Sequence, residues 1–250
     1  MPPTLEQRLA ARQPDGKASL SMRMGWRCLL FLHWRMDAQM LQEKLPKGLH
    51  IDTFDGSAWL AIVPFMMTKV RPKGLPAIPG ISDFLELNVR TYVYDNEGVP
   101  GVWFFSLDCS SGLAVRIAQK KFKLPYMKAR MKTAVADDIH YTCRRDDSYG
   151  GQPPGNLRLS VYRYNGVGDE RLAEPDSLDF FLMERYYLYA QDGDTIRRAQ
   201  VIHEPYQIRE AEVAPFDTIP ICLDDLPLPC TPPDHTCYVD EVDVDAYALQ

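Results

Sequence analysis

Between residues 84 and 94 the side chains alternate without a break. Leu85, Leu87, Val89, Thr91 and Val93 fall on one face, and Glu86, Asn88, Arg90, Tyr92 and Tyr94 on the other. A period of two predicts a β-strand. Residues 99–108 carry a second strand, and Asn96-Glu97-Gly98 between them supplies a hairpin turn. A second hairpin is predicted from 49–54 and 57–65 around Asp55-Gly56, a dipeptide suited to a type I′ turn. Residues 26–34 are apolar enough for a buried strand, and further strands are predicted at 139–144, 157–164, 186–190, 195–203 and 207–213.

Helical stretches are fewer. One covers 4–12, before the Pro14-Asp15-Gly16 turn signal, and another covers 38–45 after Asp37 as N-cap. A third runs over 111–122 and cannot pass Pro125, and a fourth covers 178–184 after Asp176-Ser177. Strands in hairpin order with a few short helices predict a mainly β, mostly antiparallel fold.

The length of 250 residues suits one large domain. Residues 1–20 read as an N-terminal arm, 21–219 as a single β domain, and 220–250 as an acidic, proline-rich extension. Residues 210–250 hold ten acidic groups and no lysine or arginine, which leaves 28 basic against 24 acidic groups elsewhere. An acidic tail repels phosphate, so nucleic acid is not the expected partner; the tail either solvates itself or lies on a basic face of the body. No apolar run reaches the ~18 residues of a membrane span. Glu6, Arg8 and Arg12 stand where a signal peptide would need an apolar core, so the expected location is cytoplasmic.

Six cysteines then read as free thiols. Cys222, Cys230, His235 and Cys237 are metal-ligand types, but their spacing fits no common zinc scaffold, and no metal or cofactor is expected. No H-x-x-x-H pair, G-x-S-x-G elbow, phosphate loop or dinucleotide fingerprint occurs.

Two constellations carry candidate chemistry. Glu86 and Arg90 stand on the polar face of one strand, about 13 Å apart at ~3.3 Å per residue, where they either line two ends of a cavity or form the wet face of a sheet. Between residues 116 and 132 lie seven cations and no acid, among them Arg116 and Lys128. Such a cluster attracts anions and can depress a lysine into a usable nucleophile; a solvated surface run fits the same letters.

Several motifs occur in order: His33-Trp34, Leu45-Pro46, Ile51-Asp52-Thr53 with Asp55-Gly56, Val63-Pro64-Phe65, the 84–93 strand, the 101–108 strand, Leu124-Pro125-Tyr126 and Glu184-Arg185-Tyr186. As a set they resemble a YqjF-like bacterial family of unknown function, over about residues 26–213. That family is similar to the acetoacetate decarboxylase-like superfamily, and the resemblance implies an antiparallel β-barrel or cone enclosing a pocket. It also implies a chemistry, the Schiff base of acetoacetate decarboxylase, formed by a lysine activated by desolvation or a neighbouring cation. Glu86 matches the superfamily's strand acid and Pro125 its proline, but Tyr126 and Met127 stand where its lysine pair belongs. Neither can form an imine.

Three functions stay open. The first is a lyase-like enzyme acting on a small keto or carboxylate compound, with Glu86 as acid or base, Tyr126 as proton donor and Lys128 as helper or displaced nucleophile. Arg90 or Arg116 would orient a carboxylate, and Asn88, Trp34 and Ser106 are further candidates for ligand contact. The second is a binding or sensor module, and the third a filled scaffold with no ligand. A homo-oligomer is also open, through apolar strand residues such as Val102 to Phe105.

Overall fold

The computed structural model describes residues 1–146 and 159–250; two residues of the strand expected at 157–164 lie outside them. Twelve strands are described: β1 (Leu20–Met36), β2 (Leu49–Ile51), β3 (Ala58–Pro72), β4 (Phe84–Asp95), β5 (Pro100–Cys109), β6 (Tyr126–Val135), β7 (Ile139–Arg145), β8 (Ser160–Arg171), β9 (Tyr187–Asp192), β10 (Thr195–His203), β11 (Ile208–Val213) and β12 (His235–Tyr247). The helices are α1 (Leu5–Ala10), α2 (Ala38–Gln42), α3 (Gly112–Lys121), α4 (Leu178–Met183) and α5 (Ile219–Leu223). Among the described residues, no helix is long and apolar enough to cross a membrane.

The strands hydrogen-bond in the order β10-β9-β5-β6-β7-β8-β11-β12-β1-β3-β4-β2, and two further pairings, β4–β5 and β10–β12, close the sheet on itself. Two rings follow, sharing β12, β1, β3, β4 and β5. One is completed by β6, β7, β8 and β11, the other by β9 and β10. Pairing is antiparallel except for β5 with β6 and with β9. The fold is therefore mainly β and mostly antiparallel, as the alternation predicts.

Sharing strands explains why both faces of β4 are buried. Successive side chains point to opposite faces, so one set faces each ring. Leu87, Val89 and Val93 join Leu32, Trp34, Tyr141, Tyr162 and Tyr164 in one core. Tyr92 joins Phe31, Phe65, Val102 and Phe104 in the other, and Glu86, Asn88 and Arg90 are buried on its side of the strand. The polar row of β4 is thus no wet face.

Three expectations change. β2 pairs with β4 rather than with β3, because both edges of β3 are already taken by β1 and β4. The basic run after Pro125 forms β6, with Ala129 buried and Arg130 exposed. The acidic segment expected as an extension supplies β12, which runs beside β1 from Leu20↔Tyr247 to His33↔His235. Its acids answer the arginines of neighbouring strands: Arg27 to Glu241 at 2.7 Å, Arg23 to Asp245 at 3.2 Å, and Arg209 to Asp240 at 3.2 Å. The segment is thus a strand of the sheet, with Cys237, Val239 and Val244 buried. Val102 and Phe104, offered as oligomer contacts, are consumed by the core.

Candidate functional site

A cavity of about 510 Å³ opens inside the ring completed by β9 and β10. Its wall takes Phe84, Glu86 and Arg90 from β4, Val102, Phe104 and Leu107 from β5, and Met24 and Trp26 from β1. Helix α3 lies along one side. Its N-cap Ser111 accepts from the Ala114 amide, and Val115 is its buried residue.

Glu86 is buried and accepts a hydrogen bond from the Tyr126 hydroxyl at 2.6 Å. Strand pairing brings them together: β5 lies between β4 and β6, with Asn88↔Leu107 and Leu107↔Tyr126 in register. Burial raises the Glu86 carboxyl to about 7, against hydrogen bonds from Tyr126 and Asn88 that favour its ionised form. Burial, with the Glu86 charge beside it, pushes Tyr126 well above the usual tyrosine range, so its proton stays on.

Arg90 and Arg185 supply the positive charge. Arg185 lines the cavity from the segment between α4 and β9; it donates to Asp52 at 2.7 Å and to the Phe181 carbonyl at 2.6 Å. Asp52 also takes both ends of the Arg8 guanidinium, at 2.7 and 2.8 Å, which fastens the N-terminal segment under the site. Arg90 Nε and Arg185 Nη2 are buried without a hydrogen-bond partner.

Behind Arg90 runs a chain of hydrogen bonds: Arg90 to the Tyr92 hydroxyl at 3.4 Å, Tyr92 to His33 Nε2 at 2.8 Å, His33 Nδ1 to His235 Nδ1 at 2.9 Å, and His235 Nε2 to Asp179 at 2.7 Å. A guanidinium only donates and a carboxylate only accepts, so one direction serves the whole chain. In that direction Tyr92 donates to His33, His33 Nδ1–H to His235 Nδ1, and His235 Nε2–H to Asp179. Burial, with His235 and Arg90 nearby, holds His33 well below the usual histidine range, in keeping with that assignment. The chain thereby props the Arg90 side chain from behind.

The other sequence candidates lie elsewhere. Lys128 donates to the carbonyls of Ser110 and Ala129 and is not part of the cavity wall. Its place in β6 sets it beside the loop before α3, which provides the Ser110 carbonyl. Arg116 is exposed on the outward side of α3. Trp34 fills the other core and donates to the Thr231 carbonyl at 3.1 Å. Ser106 belongs to a buried ionic cluster, accepting from Arg145 at 2.7 Å and donating to Asp224. A β-bulge between Val89 and Arg90 shifts the register of β4 on β5 at Ser106. Asn88 stands beside Glu86, with its Oδ1 lacking a partner. Sequence reasoning overlooked Arg185, Trp26 and Lys121 as wall residues. Arg185 carried a signal as the middle residue of Glu184-Arg185-Tyr186, and Lys121 as one of the seven cations between 116 and 132.

Residues 23–243 match DUF2071, a family described as an uncharacterized conserved protein. The chain belongs to this family. It is 39% identical over 202 residues to the uncharacterized protein YqjF of Bacillus subtilis (strain 168), covering 80% of this chain and 78% of that one. Among solved structures it is similar to acetoacetate decarboxylase from Legionella pneumophila, with TM-score 0.60, 9% identity, and coverage of 100% of this chain and 96% of that one. It is also similar to the enduracididine biosynthesis enzyme MppR complexed with pyruvate, with TM-score 0.59, 10% identity, and coverage of 94% and 92%. These likenesses establish an acetoacetate decarboxylase-like fold.

Proposed function

We propose that the cavity binds a small organic anion carrying a carbonyl group, and that Glu86 moves a proton at the carbon beside that carbonyl without forming a Schiff base. The observation that carries this reading is the Glu86–Tyr126 pair, 2.6 Å apart and buried in an otherwise largely apolar wall. A carboxyl titrating near 7 serves as base and as acid in turn. Ionised Glu86 takes the proton from carbon, and the C–H electron pair moves into the carbonyl to give an enolate. Once Glu86 is protonated, the Tyr126 O–H, which keeps its proton, turns from that carboxyl to donate to the enolate oxygen. Return of the proton from Glu86 restores the carbonyl. Arg90 and Arg185 hold the carboxylate. The neighbour MppR is described in complex with pyruvate, a carbonyl-bearing acid of this kind.

Deuterium exchange tests the proposal. Oxo acids of graded length are incubated with the protein in heavy water and followed by proton NMR. Exchange at the carbon beside the carbonyl is expected, and Glu86→Gln should slow it by about 10²–10⁴-fold. Exchange no faster than in buffer, or unchanged in the variant, would overturn the proton-transfer step. Binding without exchange would leave a receptor for the same ligands.

Borohydride reduction with the same compounds separates this chemistry from imine formation. No reduced adduct is expected at Lys128, whose amine is engaged by the Ser110 and Ala129 carbonyls. None is expected either at Lys121, an exposed wall residue. A stoichiometric adduct mapped by mass spectrometry to either lysine would replace the acid–base reading with an imine one.

A further inference from the structure

The cavity is larger and greasier than a short oxo acid requires, and its polar groups are not spread evenly. From the loop between β3 and β4, the wall descends along β4 through Phe84 and Glu86 to Arg90. Glu86 and Arg90 are four residues apart, a backbone distance of about 13 Å at ~3.3 Å per residue. The two guanidinium groups therefore mark the inner end, with Glu86 between them and the entrance. Both arginines are more than nine-tenths buried, with relative exposures of 9% and 5%. Both line the cavity, so a carboxylate at this end meets two guanidinium groups in a largely apolar wall.

The entrance is of opposite character. Leu75, Ile78 and Ile81 from the loop between β3 and β4, and Leu113 and Ile117 from α3, are large apolar residues exposed to water, and all five line this one cavity. Leu75 is 59% exposed and Ile78 54%. Single exposed apolar residues are ordinary, but a cluster rimming one opening marks a place where apolar matter passes or rests. Between rim and arginines the wall continues with Met24, Trp26 and Met67.

We infer that the ligand is an anionic amphiphile, an aliphatic chain of medium length whose carboxylate is held by Arg90 and Arg185 and whose tail runs past Glu86 to the apolar rim. The inference rests on the reading of the cavity as a binding site and deepens it by naming the ligand class. It places the reacting carbon part-way along the chain, away from the carboxylate. A two- or three-carbon acid anchored on the arginines would leave most of the apolar wall uncovered.

Calorimetric titration of the protein with butanoate, hexanoate, octanoate and decanoate tests this directly. Affinity should rise about fourfold for each added methylene, the factor expected when a methylene leaves water for an apolar wall. Octanamide, with the same chain and no charge, should bind at least tenfold more weakly than octanoate. Arg90→Met, with its fold checked by circular dichroism, should narrow that difference between acid and amide several-fold, Arg185 holding the remainder. Ile78→Asp at the rim leaves the core intact and should weaken decanoate more than butanoate. Affinity independent of chain length, or equal for octanoate and octanamide, would overturn the inference. The exchange experiment is independent: exchange with short oxo acids and no gain with length would remove the amphiphile and keep the proton-transfer reading. Length-dependent binding with no exchange would do the reverse.

Discussion

Replacing Arg145 by methionine is expected to cost about 3–5 kcal/mol of stability, measured by urea unfolding at neutral pH. Arg145 stands at the end of β7 and reaches into the core lined by Trp34 and the tyrosines. Its Nε donates to Asp108 at 2.7 Å, its Nη1 to Asp224 at 2.7 Å and its Nη2 to Ser106 at 2.7 Å. The two carboxylates are almost sealed from water, with 1% and 4% of their side chains exposed. Burial raises Asp108 to about 6 even with the guanidinium beside it, and Asp224 is raised for the same first reason. Without the guanidinium, both acids must either take up protons or stay charged and unpaired in the interior. Protonation is easier in acid, so the loss should shrink as pH falls through 6.

Removing the whole cluster behaves differently. Arg145→Met combined with Asp108→Leu and Asp224→Leu takes away every charge together, and should recover much of the stability lost in the single variant. A single-variant loss below about 1 kcal/mol would contradict the burial of this cluster. Because the cluster fills the ring opposite the cavity, none of its groups is assigned a ligand.

Glu86→Gln is expected to act in the opposite sense and to stabilise the protein in mild alkali. The carboxyl titrates near 4.5 in the unfolded chain and near 7 in the folded one. Below 4.5 both states hold the proton, and the native state bears no penalty. Between 4.5 and 7 the unfolded state releases it while the native state keeps it, so stability falls as pH rises. Above 7 the native protein carries an ionised carboxylate in an apolar wall, at a cost of about 3 kcal/mol. Glutamine has no charge to bury. It can accept from Tyr126 as the carboxylate does, and once the Asn88 amide turns over, its own amide can donate to Asn88 Oδ1. At pH 8 the variant should unfold at higher urea than the parent by up to that amount, and the gap should close below pH 5. An alkaline loss of stability would mean that Glu86 is held ionised by a partner. A stabilised variant that no longer exchanges substrate protons is the usual mark of strain kept for function.

The fold was legible wherever one pattern dominated. The alternation over 84–94 and the Asn96-Glu97-Gly98 turn gave the β4–β5 hairpin, and Ser111 and Pro125 bracketed α3. β6 escaped because its solvent side is lysine and arginine, which read as a surface run when no apolar alternation accompanies them. β12 escaped because its acids, and the prolines of the segment before it, match the composition of a free tail. It is held by its ladder with β1 and by burial of Cys237, Val239, Val244 and Ala246, and β1 lies more than two hundred residues away, where no local window reaches.

The site divides in the same way. Glu86 and Arg90 could be chosen because a carboxylate and a cation share one strand face, and Tyr126 because the resemblance sets it where the superfamily's lysine pair stands. Arg185 is brought to them only by closure of the second ring through β9 and β10. Lys128 was drawn in by proximity in sequence to Tyr126, and the loop before α3 takes its amine away from the cavity. Ser106 was set on the other side of β5, where a bulge lets it meet Arg145.

The measurement closest to the central claim needs no substrate. With carbon-13 at the side-chain carboxyls, the Glu86 resonance can be assigned by its loss in Glu86→Gln and followed from pH 4 to 9. A midpoint near 7 is expected, because burial outweighs the hydrogen bonds from Tyr126 and Asn88. A midpoint at or below 4.5 would mean that Glu86 stays ionised at neutral pH, and would contradict a carboxyl poised to give and take a proton in this cavity.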